Sequence, residues 1–464
     1  MSDSQDGSRP ARPAKAAGSR RDRQEEAPRL AQADGSKRER SVRGSTGEPG
    51  SRAGVSRRGF LGLVGAGAAL AAGGYAAGAA VGSSSPPEGK VHAFYGTHQS
   101  GITTPVQQHL YFASLDLTSS TTREQLIELL RTWTDAAARM TRGLEVSDGG
   151  AVGGGPLRPP DDTGEALGLP PAALTITFGF GPSLFAGEKG ARLGLAGRKP
   201  TALADLPSFA FDLIEDEQSH GDLCIQACAE DPQVAVHAVR NLSRLAFGKA
   251  MIRWTQLGYG RTSVTSTSQS TPRNLFGFKD GTANIMSDES AELARWVWTP
   301  RDSSPVWFAG GTYLVARKIM MTIESWDRAQ LGEQESIIGR DKFHGAPLSG
   351  GEEFTPPNFA AVDGSGNFAI AADSHVRLAH PDNNGGTRIL RRGFNFVEGN
   401  NDLGQLSAGL FFISYQRDPQ QFIDLQRALK SDAMNEYIRH VGTAVFAIPP
   451  GIGEGEYIGQ GLFG

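Results

Sequence analysis

The sequence predicts an α+β fold built from two ferredoxin-like halves, residues 89–260 and 261–464. Two observations carry that prediction. From 109 to 258 the apolar pattern switches between strand and helix periods in the order β-α-β-β-α-β, which is the ferredoxin-like arrangement. From 311 to 448 the same order recurs with long insertions. No residue-level repeat accompanies it, so on the residues alone the halves are alike only in element order.

In the first half, HLYFASLDL at 109–117 largely alternates apolar and polar residues, as a half-buried strand does. Residues 121–140 place Leu126, Ile127, Leu129, Leu130, Trp133 and Ala137 at helical spacing, and Thr122 followed by Glu124 and Gln125 marks the helix start. A Gly/Pro/Asp loop at 147–168 leads to a strand at 173–180. Residues 223–227 read as the next strand, 231–247 as an amphipathic helix entered at Pro232, and 251–258 as the closing strand. In the second half, 311–324 reads as a strand, 325–334 as helical, 366–371 as short and extended, and GLFFISYQ at 409–416 as a clear strand. Residues 419–429 and 432–441 read as helical, and 443–448 as a final strand before Pro449-Pro450.

Composition sets further bounds. A formal charge of −4 gives no reason to expect nucleic acid as a partner, and the overall composition is that of a soluble globular chain. The first 55 residues are rich in Arg, Lys, Ser, Gly, Pro and Ala with almost no large apolar residues; burial cannot offset their ordering entropy, and they read as disordered. Residues 56–85 follow the layout of a twin-arginine export signal: Ser56-Arg57-Arg58-Gly59-Phe60-Leu61, then a Gly/Ala-rich apolar run to Gly82. The alternative is a membrane anchor, which the many glycines make weak. A Ser/Pro linker occupies 83–87. The only two cysteines, Cys224 and Cys228, are too far apart along one strand to bridge and are expected as buried free thiols. No Cys-x-x-Cys-His motif is present, which excludes covalent c-type haem.

Chemistry concentrates in three segments. Gly277-Phe278-Lys279-Asp280-Gly281-Thr282-Ala283-Asn284 holds an acid between two glycines, with Asn274 just upstream, and reads as a tight loop that a flat or bulky ligand can approach closely. Further on come Asp373-Ser374-His375-Val376-Arg377-Leu378-Ala379-His380-Pro381 and Ile389-Leu390-Arg391-Arg392-Gly393-Phe394-Asn395-Phe396. An acid, a histidine and an arginine in separate constrained segments can converge only through the fold.

Together these segments resemble the dye-decolourising peroxidases, most closely the exported subgroup also described as deferrochelatase/peroxidase, over most of the chain from about residue 89 to 450. The resemblance implies a duplicated ferredoxin-like α+β barrel with one non-covalent haem b per chain in the C-terminal half, between the sheets and the helices. By matching motif it makes Asp280 the distal acid, Arg391 the distal arginine and His375 the proximal iron ligand. It also implies that Gly281, Thr282 and Ala283 lie against the porphyrin and that Arg340, in Ile-Gly-Arg-Asp, meets a propionate. His380-Pro381-Asp382 stands where the family has Asn-Pro-Arg, so the chain departs from the pattern at two of three positions. His380 competes as the axial ligand, but a residue before proline is held extended, and His375 is preferred. An acid that orients His375 is expected, with Glu436 the first candidate and Asp424 the alternative.

The implied reaction reduces hydrogen peroxide and oxidises bulky phenolic or dye-like donors by one-electron steps. Cleaving peroxide needs a proton carrier and a stabiliser of negative charge, roles open to Asp280 and Arg391 in a division that the sequence does not decide. A carboxylate's ordinary pKa of about 3.9 is low for a base at neutrality, so activity is expected to peak in acid unless burial raises it. Arg392 is expected in a surface salt bridge. Donor electrons would enter through surface aromatics, for which Trp254, Trp296, Trp298, Trp307 and Trp326 are available, although aromatic residues are more often core. The twin-arginine translocase is the expected export partner, with an extracellular, periplasmic or envelope location, and a homo-oligomer is left open. The alternative functions are a haem-handling or iron-release protein and a haemless ferredoxin-like binding module.

Overall fold

The computed structural model describes residues 88–464, so the expected tail (1–55), signal segment (56–85) and linker (83–87) lie outside the described residues. Strands β1 (His109–Leu117), β2 (Thr175–Phe180), β3 (Leu223–Ala229), β4 (Ala250–Arg261), β5 (Thr312–Met321), β6 (Leu390–Arg391), β7 (Phe394–Asn400), β8 (Leu406–Gln416) and β9 (Ile438–Ile448) form one sheet. Its order is β5-β9-β2-β3-β1-β4-β7-β8-β6, and a further pairing of β5 with β8 closes it into a barrel. β6 and β7 share one register on β8, from Leu390↔Tyr415 to Phe396↔Gly409, and so act as a single strand. The ring is therefore two sets of four, β2-β3-β1-β4 and β7-β8-β5-β9, each with the ferredoxin-like permutation. This is the duplicated α+β barrel that the sequence predicts.

A closed sheet divides alternate residues of each strand between inside and outside. Leu110 and Phe112 of β1, Leu314 and Ala316 of β5, Phe411, Ile413 and Tyr415 of β8, and Phe446 and Ile448 of β9 belong to one buried cluster. β1 neighbours neither β8 nor β9 in the ring, yet Phe112 packs on Phe411 (ring centroids 5.4 Å apart) and Phe446 (6.1 Å), so this cluster fills the barrel. Cys224 and Cys228 point into it as buried free thiols, as expected. A second core lies between the outer face of the first-half strands and the helices Arg123–Met140 and Pro232–Leu245. Thr122 closes a capping box with Gln125 at the start of the first helix, and Asp231 caps the second.

The structure departs from the sequence expectations in several places. Residues 366–371 are not a barrel strand: Asp363 Oδ1 accepts the N–H groups of Ser365 and Asn367, Gly366 sits at φ +84°, and the turn they make leaves only an isolated Val362↔Phe368 bridge. The strand in that topological place is 390–400. Residues 432–441 are not a helix, because Asp432 caps a single 3-10 turn, Ala433–Glu436, and the chain then enters β9 at Ile438. A short helix, Ser290–Trp296, was not foreseen. Arg392 makes no surface salt bridge. As the strand neighbour of Arg391 it must face the opposite side, and it is wholly buried inside the barrel, donating to the Thr104 carbonyl (2.6 Å) and to Gln107 Oε1 (2.5 Å).

The second half's outer sheet face holds a buried charge cluster. Asp212, from the segment before β3, pairs with Arg317 of β5, and His440 of β9 lies 3.7 Å from the same carboxylate. Burial first, then the charge of Arg317, push the His440 pKa down to about 3. The unfolded chain takes up this proton near pH 6.5, whereas the folded chain does not until about 3. Stability contributed by the neutral ring is thus complete above pH 6.5 and is drawn down as pH falls toward 3. His440→Leu should flatten the acid fall of the thermal midpoint between about pH 6.5 and 4. Parallel curves for variant and wild type across that window would rule this out.

Candidate active site

The acid loop is a small hairpin with a fixed shape. Arg273 bridges Lys279, the Asn274 N–H donates to the Phe278 carbonyl (3.1 Å), and Asn274 Oδ1 accepts the Phe276 N–H (3.1 Å). Gly281 adopts φ +100°, and a Cβ there would lie 2.8 Å from the Ser263 Cα, so only glycine lets the loop lie this close to the backbone after β4. Phe276 and Phe278 anchor the hairpin in a buried cluster with Trp326, Ile337, Ile338, Met434 and Tyr437, the Phe276 ring stacking on Trp326 at 4.3 Å. That geometry presents Asp280 on the open side of the loop.

Arg391 meets it there. Arg391 Nη1 donates to Asp280 Oδ1 at 2.7 Å, with both side chains partly buried. Asn284 positions the pair: its Oδ1 accepts the Arg391 N–H (2.8 Å), and its Nδ2 donates to the Arg391 carbonyl (2.9 Å) and to that of Val264 (2.7 Å). Asp280 Oδ2 receives only a longer bond from Asn274 Nδ2 (3.3 Å).

His375 opens the short helix His375–Ala379, and its Nδ1 is 2.6 Å from Asp432 Oδ2. Asp432 is itself fixed, since its Oδ1 accepts the Met434 N–H (2.9 Å). The expectation that Glu436 orients His375 is therefore corrected: Glu436 is exposed at the end of the turn, and Asp424 bonds to Gln420 on an exposed helix face. Burial opposes the charged imidazolium, but the charge and hydrogen bond of Asp432 outweigh it and raise the His375 pKa; Asp280 adds to the rise and Arg391 opposes it. The acid–arginine pair thus lies within electrostatic reach of this ring. Nε2 has no hydrogen-bond partner among the described residues.

The other expected residues gather around these two pairs. Thr282 Oγ1 donates to Glu353 Oε1 (3.2 Å), which also pairs with Lys279, and Ala283 is exposed beside them. Arg340 is buried, with Nη1 on the carbonyls of Gly345 (2.6 Å) and Glu353 (2.7 Å). His380 follows the His375 helix, extended at φ −69° and ψ 140°. The Pro381 carbonyl accepts the Gly386 N–H (2.8 Å), and the Asp382 side chain is exposed. Sequence reasoning missed Asp432 and the positioning role of Asn284. Asp432 lies 57 residues from His375, and nothing local announces the contact.

These residues fit a haem. An imidazole with one nitrogen held by a carboxylate and the other open is the donor a haem iron takes. Ser414, the cross-strand partner of Arg391 and so on the same sheet face, has a buried Oγ with no partner among the described residues, the mark of a place that a ligand or water completes. A second acid–histidine cluster, Asp162, Glu165 and His237, is already satisfied: Asp162 takes His237 Nε2 (2.7 Å) and two backbone N–H groups, and Glu165 takes Arg240.

Comparison with known proteins gives a consistent picture. A family model described as Dyp-type peroxidase, N-terminal, matches residues 99–260, and one described as Dyp-type peroxidase, C-terminal, matches residues 271–453. A dye-decolorizing peroxidase of Thermobifida fusca (strain YX) is 36% identical over 440 residues, which cover 89% of this chain and 98% of the relative. A deferrochelatase of Escherichia coli (strain K12) is 36% identical over 376 residues, covering 80% and 86%. The solved structure of ferric DtpA from Streptomyces lividans superposes with a TM-score of 0.73 at 38% identity, over 81% of this chain and 98% of that one.

Substitution separates the two candidate axial histidines, of which His375 has the Asp432 carboxylate 2.6 Å from its Nδ1. His375→Ala should lose the histidine-ligated spectrum and retain little haem, whereas His380→Ala should still yield haem-loaded, histidine-ligated protein, both read from the visible spectrum after reconstitution. Full haem occupancy with an unchanged spectrum in His375→Ala would overturn the choice.

Proposed function

The chain belongs to the Dyp-type peroxidase family, and on that premise we propose how its own residues serve the haem-dependent reduction of peroxide. The observation that carries the reading is the Asp280–Arg391 pair, held within electrostatic reach of His375 and its partner Asp432. His375 Nε2 would bind the iron, and Asp432 would keep the Nδ1 proton in place and strengthen the ligand. One haem b is bound per chain without covalent attachment. When bound, the haem supplies the iron at which the O–O bond is cleaved and holds the two oxidising equivalents that a donor later removes.

Asp280 takes the proton from the incoming peroxide oxygen and returns it to the departing one. Oδ2 is the atom for this task, because Oδ1 already accepts from Arg391. Arg391 keeps that carboxylate aimed and has its remaining N–H donors to stabilise the leaving oxygen. Donors are bulky phenolic or dye-like aromatics, in keeping with the name of the Thermobifida relative. Export through the twin-arginine pathway places the enzyme outside the cytoplasm. The deferrochelatase relatives favour one second reading, haem handling in iron acquisition. Storage or release of haem does not need a proton carrier at 280.

Replacing the two distal groups separates their roles. Asp280→Ala should slow peroxide consumption by about 10²- to 10⁴-fold and recover with added small base. Arg391→Ala should slow it by about 10² or more and respond to guanidinium but not to base. Stopped-flow rates across acidic pH decide: a near wild-type rate in Asp280→Ala transfers the principal role to Arg391. The export proposal has its own test. Arg57→Lys with Arg58→Lys should leave precursor in the cytoplasm, because the pair is read by a receptor and not as charge. Normal secretion of that double variant would contradict it.

A further inference from the structure

The acid loop is held from behind by a residue far outside it. Asp280 reaches forward to Arg391, whereas Lys279 before it and Thr282 after it both reach a single carboxylate, Glu353. Each oxygen of that carboxylate has its own partner: Oε2 accepts from Lys279 Nζ, and Oε1 accepts from Thr282 Oγ1 at 3.2 Å. Adjacent side chains on an extended chain diverge, which sends Lys279 and Asp280 to opposite sides. Gly281, at φ +100°, then turns the chain so that Thr282 faces Glu353 again.

Glu353 is itself firmly mounted. It lies in the insertion after the helix Leu331–Ile338, and its backbone carbonyl accepts Nη1 of the buried Arg340 at 2.7 Å. The start of the same insertion grips the rest of the hairpin. Arg273 Nη1 donates to the carbonyls of Gly277 (2.8 Å) and Lys342 (2.6 Å), and its Nη2 donates to that of Phe343 (2.7 Å). A Cβ on Gly345 would lie 2.8 Å from Lys279 Cδ, so the lysine stem runs along the insertion before its ammonium meets Glu353. The Lys279 and Glu353 side chains are only 24% and 12% exposed, which shelters the pair from the screening that weakens surface salt bridges.

A proton carrier works only within hydrogen-bond reach, roughly 2.6 to 3.2 Å, of the atom it serves. Asp280 has one short side-chain tie, to the long and flexible Arg391, so the position of its carboxylate depends on where the loop is held. We propose that Glu353 is a positioning residue for the peroxide step: by fixing Lys279 and Thr282 it sets where Asp280 Oδ2 meets the incoming peroxide. The inference rests on the reading of Asp280 as the proton carrier.

The test uses the full chain reconstituted with haem and compares three ligands by stopped flow. Hydrogen peroxide and hydrogen cyanide each surrender a proton on reacting at the iron, whereas nitric oxide has none to give. Glu353→Leu should slow the peroxide and cyanide reactions about tenfold, within the cost of a small misplacement of a catalytic group, and leave haem content and nitric oxide binding unchanged. Glu353→Gln, which still accepts from Thr282 but offers Lys279 no charge, should fall between Glu353→Leu and wild type. Lys279→Met breaks the same pair from the loop side and should match Glu353→Gln. In an Asp280→Ala background, Glu353→Leu should cost nothing further, because it acts through Asp280. Wild-type peroxide and cyanide rates in a haem-replete Glu353→Leu would overturn the proposal. So would equal slowing of all three ligands, or a full additional loss in the Asp280→Ala background, either of which marks a general loosening of the site. If Glu353→Leu takes up no haem, wild-type rates in both Glu353→Gln and Lys279→Met overturn it instead. A wild-type peroxide rate in Asp280→Ala alone removes the proton-carrier reading, and this positioning role with it.

Discussion

One amide side chain holds the candidate active site in register. β4 ends its pairing with the 390–400 strand at Arg261↔Phe394, so the backbone of Arg391 has no strand neighbour on that edge. Asn284 takes the neighbour's place, accepting the Arg391 N–H and donating to the Arg391 carbonyl from a buried position. Backbone groups buried without partners cost free energy, and a side chain with one donor arm and one acceptor arm is the smallest group that can satisfy both. Because Asn284 closes the Asp280 loop, satisfying that edge also brings Asp280 to Arg391. The electrostatic pair follows from a backbone requirement.

The two adjacent arginines show what the barrel imposes on this edge. Strand alternation sends Arg391 to the outer face, beside Asp280, and Arg392 into the lumen, where its guanidinium binds the segment carrying Thr104 and Gln107. A shift of one residue would exchange them, placing a charge partner of Asp280 inside the barrel. The halves share a strand permutation but divide the labour. The first buries its outer face under two long helices, whereas the second carries the insertion between Leu331–Ile338 and β6, which brings Arg340, Glu353, His375 and His380. The aromatic cluster around Trp326 then joins the Asp280 loop to the turn after Asp432, so both sides of the site stand on one floor.

Much of this was legible in the residues. The largely alternating strand at 109–117, the Thr122 cap and the Pro232 helix entry appear where their local physics places them. The glycine-flanked Asp280 announced a tight loop, and Gly281 needs the positive φ that this reading implies. Failures occurred where tertiary pairing overrides local pattern. Residues 432–441 contain good helix formers, but Ile438 to Val441 pair with or extend along β5, and the sheet wins. Residues 390–400 carry Arg-Arg-Gly where a buried strand would show β-branched residues, because one arginine serves the site and the other the lumen. Asp432 is hidden by its distance along the chain from His375, and the expected Glu436 lies four residues beyond it.

The claim that the backbone-pinning amide preorganises the distal pair is tested most directly by measuring the second-order rate of peroxide reaction in Asn284→Ala alongside its haem content. The account predicts normal haem uptake with a rate reduced by about tenfold or more, since small misplacements of catalytic groups cost factors up to about 10². A haem-replete Asn284→Ala that reacts with peroxide at the wild-type rate would contradict it.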